Sequence, residues 1–103
     1  MSRPARSEES LARVESELRG EQAAALRRIG ERLAELLEEL SRCRARLADL
    51  SGETRVQERE ATRAVEAEAR LFRWYLEVQR ESVGLRDHRR LDEVYPRPER
   101  AER

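Results

Sequence analysis

The sequence predicts an all-α protein: two long helices folded back on each other as an antiparallel coiled-coil hairpin, with hairpins pairing into a four-helix bundle. Three observations lead there. The 103 residues are 43% charged and 38% hydrophobic, and Ala, Leu, Glu and Arg dominate, the mix of long helices and coiled coils. Leucines recur with a heptad period. Gly52 falls between two such stretches, where a helix-stop signal is useful. Strand formers are scarce, with 4% aromatics and few β-branched aliphatics. A net charge of zero and periodic leucines argue against a disordered chain, which needs high net charge and few large aliphatics.

Residues 1–9 are polar and include Pro4, and read as a flexible N-terminal tail. Ser7 or Ser10 can cap the helix that follows, with Glu8 and Glu9 near its positive end. The first helix is predicted over 10–50. Its best segment is Leu26, Ile29, Leu33, Leu36, Leu40, Cys43, Leu47 and Leu50, whose spacing of alternating three and four is an a/d seam. An upstream seam, Leu11, Val14 and Leu18, is out of phase with it by one residue. The slip falls between Gly20 and Ala25, where a kink or a change of winding is predicted.

A turn is predicted over 51–53 and a second helix over 54–92. That helix is first Ala-rich, with Ala61, Ala64, Ala67 and Ala69, and small residues permit close approach of a neighbour. It then becomes bulky. Tyr95-Pro96-Arg97-Pro98 cannot continue a helix, so 95–103 reads as a flexible C-terminal tail. Reversal at Gly52 sets Leu47 near Val56, Cys43 near Ala61, Leu33 near Leu71 and Phe72, and Ile29 near Tyr75. It also sets Gly30 opposite Trp74, giving the indole a seat, and Gly20 opposite Gly84.

Two helices rarely enclose enough apolar surface for a stable domain. The apolar side chains from Leu71 to Leu85 spread over roughly 200° of the second helix. Trp74, Val78 and Leu85 lie on one flank; Leu76 and Val83 lie on the other. One flank can face the first helix, and the other needs cover. Leu71, Phe72, Trp74, Tyr75, Leu76, Val78, Val83 and Leu85 are therefore the predicted partner or oligomer interface. A second copy is the simplest cover, since closed homo-oligomers predominate. Glu-to-Arg pairs at i,i+4 (Glu9–Arg13, Glu15–Arg19, Glu38–Arg42, Glu66–Arg70) support helicity by only about 0.2–0.5 kcal/mol each.

All 22 basic residues are Arg, balanced by 22 acids. That balance leaves no electrostatic footprint for nucleic acid or an anionic membrane. Trp74 and Tyr75 beside Arg70, Arg73 and Arg80 have the chemistry of a nucleic-acid platform, but a helix–helix core produces the same spacing. No stretch approaches the roughly 18 apolar residues of a membrane span, and the N-terminus lacks the apolar run of a secretory signal. A cytoplasmic protein is expected. Cys43 is the lone cysteine and occupies a seam position, as a small hydrophobe would. His88 is the lone histidine and has no companion ligand for structural zinc. No phosphate loop, nucleophile elbow or dinucleotide fingerprint is present. The reading is no enzyme, no cofactor and no metal.

The helix-joining tip is Asp49-Leu50-Ser51-Gly52-Glu53. It resembles the acidic tip of the Gre-type transcript-cleavage factors, helical hairpins that enter RNA polymerase and present two acids three residues apart. Asp49 matches the first acid; Gly52 stands where the second belongs, and Glu53 comes one residue late. The resemblance implies a polymerase-binding hairpin and covers only the hairpin and its tip. The sequence itself predicts a non-catalytic interaction or scaffold protein that self-associates. The alternative is an adaptor or export-type chaperone that docks a helix of another protein.

Overall fold

The computed structural model describes residues 3–100, and side chains from Ser7 to Glu99. The chain forms an antiparallel helical hairpin. Helix α1 is Arg3–Ala48 and α2 is Gly52–Ser82. A short α3, Arg89–Val94, and a 3-10 turn, Pro98–Arg100, follow. The molecule is a rod of 79 × 23 × 14 Å.

Gly52 makes the reversal with φ of 64°, a left-handed conformation that costs glycine little. Ser51 precedes it in extended conformation. The Arg55 guanidinium donates to the Leu47 carbonyl, one of the acceptors that the end of α1 leaves without a helical partner. The reversal lies two residues earlier than predicted: α1 ends at Ala48 rather than residue 50, and α2 starts at Gly52 rather than residue 54.

The seam on α1 is the predicted one. Leu33, Leu36 and Leu40 are fully buried and Cys43 nearly so, while Leu26, Ile29, Leu47 and Leu50 are half-buried. Burying each of Leu33, Leu36 and Leu40 is worth roughly 1.5–3 kcal/mol. The facing seam on α2 is Arg55, Glu58, Thr62, Val65, Ala69, Phe72, Leu76 and Gln79, all buried or half-buried at the same three-four spacing.

That register corrects the expected pairing near the tip. Val56 and Ala61 were predicted to meet Leu47 and Cys43, yet both are exposed, and Arg55 and Thr62 hold the seam. The tip half is polar rather than Ala-lined: Ala61, Ala64 and Ala67 are exposed, and only Ala69 is buried. The polar seam positions are satisfied locally. Thr62 Oγ1 donates to the Glu58 carbonyl at 2.7 Å, and Glu58 pairs with Arg46 at 2.9 Å. Arg44–Glu66 and Arg32–Glu68 close the helix pair further along, at 3.8 and 3.0 Å.

The largest corrections are at the ends. The 1–9 segment was expected to be a tail, but Arg3 to Glu9 belong to α1; Met1 and Ser2 lie outside the described residues. Residues 10–21 of α1 are exposed throughout, and cover begins at Gln22. The helix runs unbroken through Gly20 to Ala25. The one-residue slip in its seam therefore marks where α2 stops covering α1, not a break in the helix.

At the other end, α2 was expected to reach residue 92 and stops at Ser82. Gly84, with φ of 90°, turns the chain, and the Gly84 N–H donates to the Glu81 carbonyl at 3.0 Å. Residues 85–100 then fold back on the hairpin. Leu91 joins the core cluster of Leu33, Leu36, Ala69 and Leu76, and Tyr95 packs against it. Pro98, predicted to lie in a tail, is fully buried. Residues 101–103, the rest of that tail, lie outside the described residues.

Candidate interaction surface

Arg73 anchors the returning segment. It is 4% exposed, donates to Asp92 and to the Tyr95 carbonyl, and reaches Glu77 at 3.3 Å. A buried guanidinium is tolerated because these partners occupy its donors. Arg80 donates to the Asp87 carbonyl at 3.1 Å. Asp87 accepts the Arg89 backbone N–H at 3.0 Å and its guanidinium at 2.7 Å. These bonds hold the Asp87 carboxyl at about 2, below its ordinary 3.8. They also fix the start of α3.

Two of the three arginines that could have framed a nucleic-acid platform are thus committed to the fold. The third, Arg70, pairs with Glu66 at 2.8 Å and Glu99 at 3.6 Å. Sequence reasoning missed the role of Arg73. Its signal was its position: it sits beside the Phe72–Leu76 seam, where a helix of alternating charges would have placed a buried group only with partners from elsewhere in the chain.

Gly30 does not seat Trp74, as predicted. The phenol of Tyr95 lies there instead, with its oxygen 2.7 Å from where a Cβ on Gly30 would stand. Trp74 is 57% exposed, 5.7 Å centroid to centroid from Tyr75, which meets Phe72 edge to face at 5.6 Å.

The eight residues of the predicted interface divide accordingly. Leu76 is in the hairpin core and Phe72 is half-buried against it. Leu71, Trp74, Tyr75 and Val78 are exposed on α2. Val83 and Leu85, also exposed, lie beyond the end of the helix.

The exposed residues have an order that the sequence reading did not single out. Ala64, Ala67, Leu71, Trp74 and Val78 step by three and four along α2 and are all exposed. They form a second a/d seam. At 100° per residue it lies roughly 160° from the seam that meets α1. α2 is therefore apolar on two opposite faces, with only one of them covered. A hollow beside Trp74 is walled by Arg70, Glu77, Arg97 and Pro98.

A second uncovered stripe belongs to α1. Leu11, Val14 and Leu18 are each more than half exposed on the part of the helix that overhangs α2. At 1.5 Å per residue α1 is about 69 Å long and α2 about 46 Å, so the overhang exceeds 20 Å.

The other sequence candidates have structural surroundings. Cys43 is a free, buried cysteine with the Arg46 guanidinium 3.2 Å from its sulfur. His88 Nε2 lies 3.0 Å from Glu81 Oε1. Asp49, Ser51, Gly52 and Glu53 are exposed around the turn. Of the four i,i+4 pairs, Glu66–Arg70 forms. Among the described residues no three His, Cys, Asp or Glu side chains gather as a metal site. No described helix is long and apolar enough to cross a membrane. No protein-family model matches the chain, and no curated protein or solved structure is significantly similar to it.

Proposed function

We propose that this chain is a non-catalytic interaction or scaffold protein that works by self-association. The observation that carries the reading is the outer seam of α2, Ala64, Ala67, Leu71, Trp74 and Val78, a heptad stripe left in water. An a/d stripe is the pattern by which one helix receives another. An exposed contiguous apolar patch on a small domain marks a surface that is covered in use. A second hairpin laid on that stripe makes a four-helix bundle, the closed and symmetric arrangement that homo-oligomers favour.

The cytoplasm is the proposed location. A lone, buried cysteine with no disulfide partner suits a reducing compartment. Catalysis has no part in the reading, since the polar clusters that do form, around Arg73 and Asp87, tie the C-terminal segment to α2.

Sedimentation velocity at micromolar concentration tests the proposal. A dimer or higher oligomer is expected, and Trp74→Glu together with Val78→Glu should return it to monomer with its helicity intact. A wild-type chain that stays monomeric and well folded across that range would overturn the reading.

A further inference from the structure

The two uncovered stripes carry matching patterns and opposite charge. On the overhang of α1, Leu11, Val14 and Leu18 are flanked by acids on both sides. At 100° per residue, Glu8 and Glu15 fall on one side and Glu17 and Glu21 on the other. Arg19 lies beside Glu8 and Glu15 on the first side, and Arg13 falls towards the back of the helix. On α2, the outer seam has Arg59, Arg63 and Arg70 along one side, all exposed. Arg59 and Arg63 have no ion-pair partner among the described residues. Of the acids on that side of α2, Glu66 is engaged by Arg70 and Arg44, Glu77 by Arg73 and Glu81 by His88; Glu60 lies on the line of the stripe itself, one turn before Ala64.

The overhang cannot reach its own outer seam. It is a continuous part of α1, projects past the end of α2, and would have to reverse to lie on the far face. Pairing two overhangs would set acids against acids, which costs affinity and slows encounter. The outer seam of another copy offers the same three-four spacing with arginines at its edge.

We propose that the acidic overhang of one chain, through Leu11, Val14 and Leu18, packs on the outer seam of α2, Leu71, Trp74 and Val78, of a second copy. The exchange is reciprocal about a two-fold axis, so each dimer contains the contact twice and covers both overhangs and the bulky half of both outer seams. This rests on the self-association proposed above and specifies its surfaces.

Charge reversal in two separate chains tests it. One variant carries Glu15→Arg and Glu21→Arg; the other carries Arg63→Glu and Arg70→Glu. All four side chains are exposed, and circular dichroism checks that each variant keeps its helicity. Sedimentation equilibrium at low salt should show each variant alone dimerising at least about tenfold more weakly than wild type. Mixing the two should restore a heterodimer close to wild-type affinity, because each reversed overhang then meets a reversed α2 and each native overhang a native one. Variants that dimerise as wild type does, or a mixture that gains nothing, would overturn this docking while leaving self-association through another surface standing. A wild-type chain that is monomeric would overturn both.

Discussion

The position of Tyr95 over Gly30 can be tested by a four-member mutant cycle. In a helix interior Ala is more favourable than Gly by about 1 kcal/mol, so Gly30→Ala on an open helix face would stabilise the protein. Here the new Cβ would stand 2.7 Å from the Tyr95 oxygen and 3.4 Å from the ring carbon that bears it. The first distance is inside contact and the second is ordinary packing. Tyr95→Phe removes the first and keeps the second. Gly30→Ala in the Tyr95→Phe background should therefore gain about 1 kcal/mol, a rise of about 4–8 °C in Tm for a domain of this size. In the wild-type background the phenol must move off the core cluster. The gain should vanish, and a loss of up to about 1 kcal/mol is expected. The coupling of about 1–2 kcal/mol is within the range of side chains in direct contact. Thermal unfolding by circular dichroism at a fixed protein concentration gives all four values. An equal rise in both backgrounds would refute the placement of the C-terminal segment across α1, and with it the burial of Leu91 and Pro98 beside it.

Two further predictions separate the covered seam from the uncovered one and probe the start of α3. Leu36→Ala leaves a cavity at a fully buried position and should cost about 2–5 kcal/mol in urea unfolding. Leu71→Ala, at 44% exposure, should change the stability of the dilute monomer by less than about 0.5 kcal/mol. By carboxyl NMR, Asp87 should titrate near 2, below its ordinary 3.8, and Arg89→Ala should move it back up. A lowered carboxyl stabilises the fold above its unfolded pKa, so its anchoring of α3 should be complete above pH 3.8 and be lost as pH falls through about 2. An unshifted Asp87 would count against the Asp87–Arg89 contact.

Heptad spacing made α1 legible, because an amphipathic stripe is a local property of the chain and eight seam residues agree on one phase. The reversal was legible for a similar reason: Gly52 is where the seam pauses, and it takes the left-handed conformation that such a stop uses. On α2 the same reasoning separated two flanks, Trp74, Val78 and Leu85 against Leu76 and Val83, but did not say which of them meets α1. Leu71 and Leu76, or Trp74 and Phe72, look alike in composition, and only the position of α1 divides them into core and surface. The polar tip half went unseen because Arg55, Glu58 and Thr62 read as surface residues until their partners Leu47, Arg46 and the Glu58 carbonyl were in place. The Tyr95-Pro96-Arg97-Pro98 run was rightly read as ending a helix. Its burial was not, since a segment that lacks periodicity shows nothing of what it packs against.

The sequence by itself determined that the chain is helical, where it reverses, and which face of α1 is buried, because backbone propensity and side-chain period act over a few turns and need no distant partner. The tertiary structure decided the rest. It set the register that puts Thr62 rather than Ala61 in the seam, and the return of residues 85–100 that spends Gly30 on Tyr95. It also left a bare overhang where α2 ends before α1 begins. Each depends on contacts between residues far apart in the chain, where a difference of one residue in register or ten in helix length moves a side chain from core to solvent.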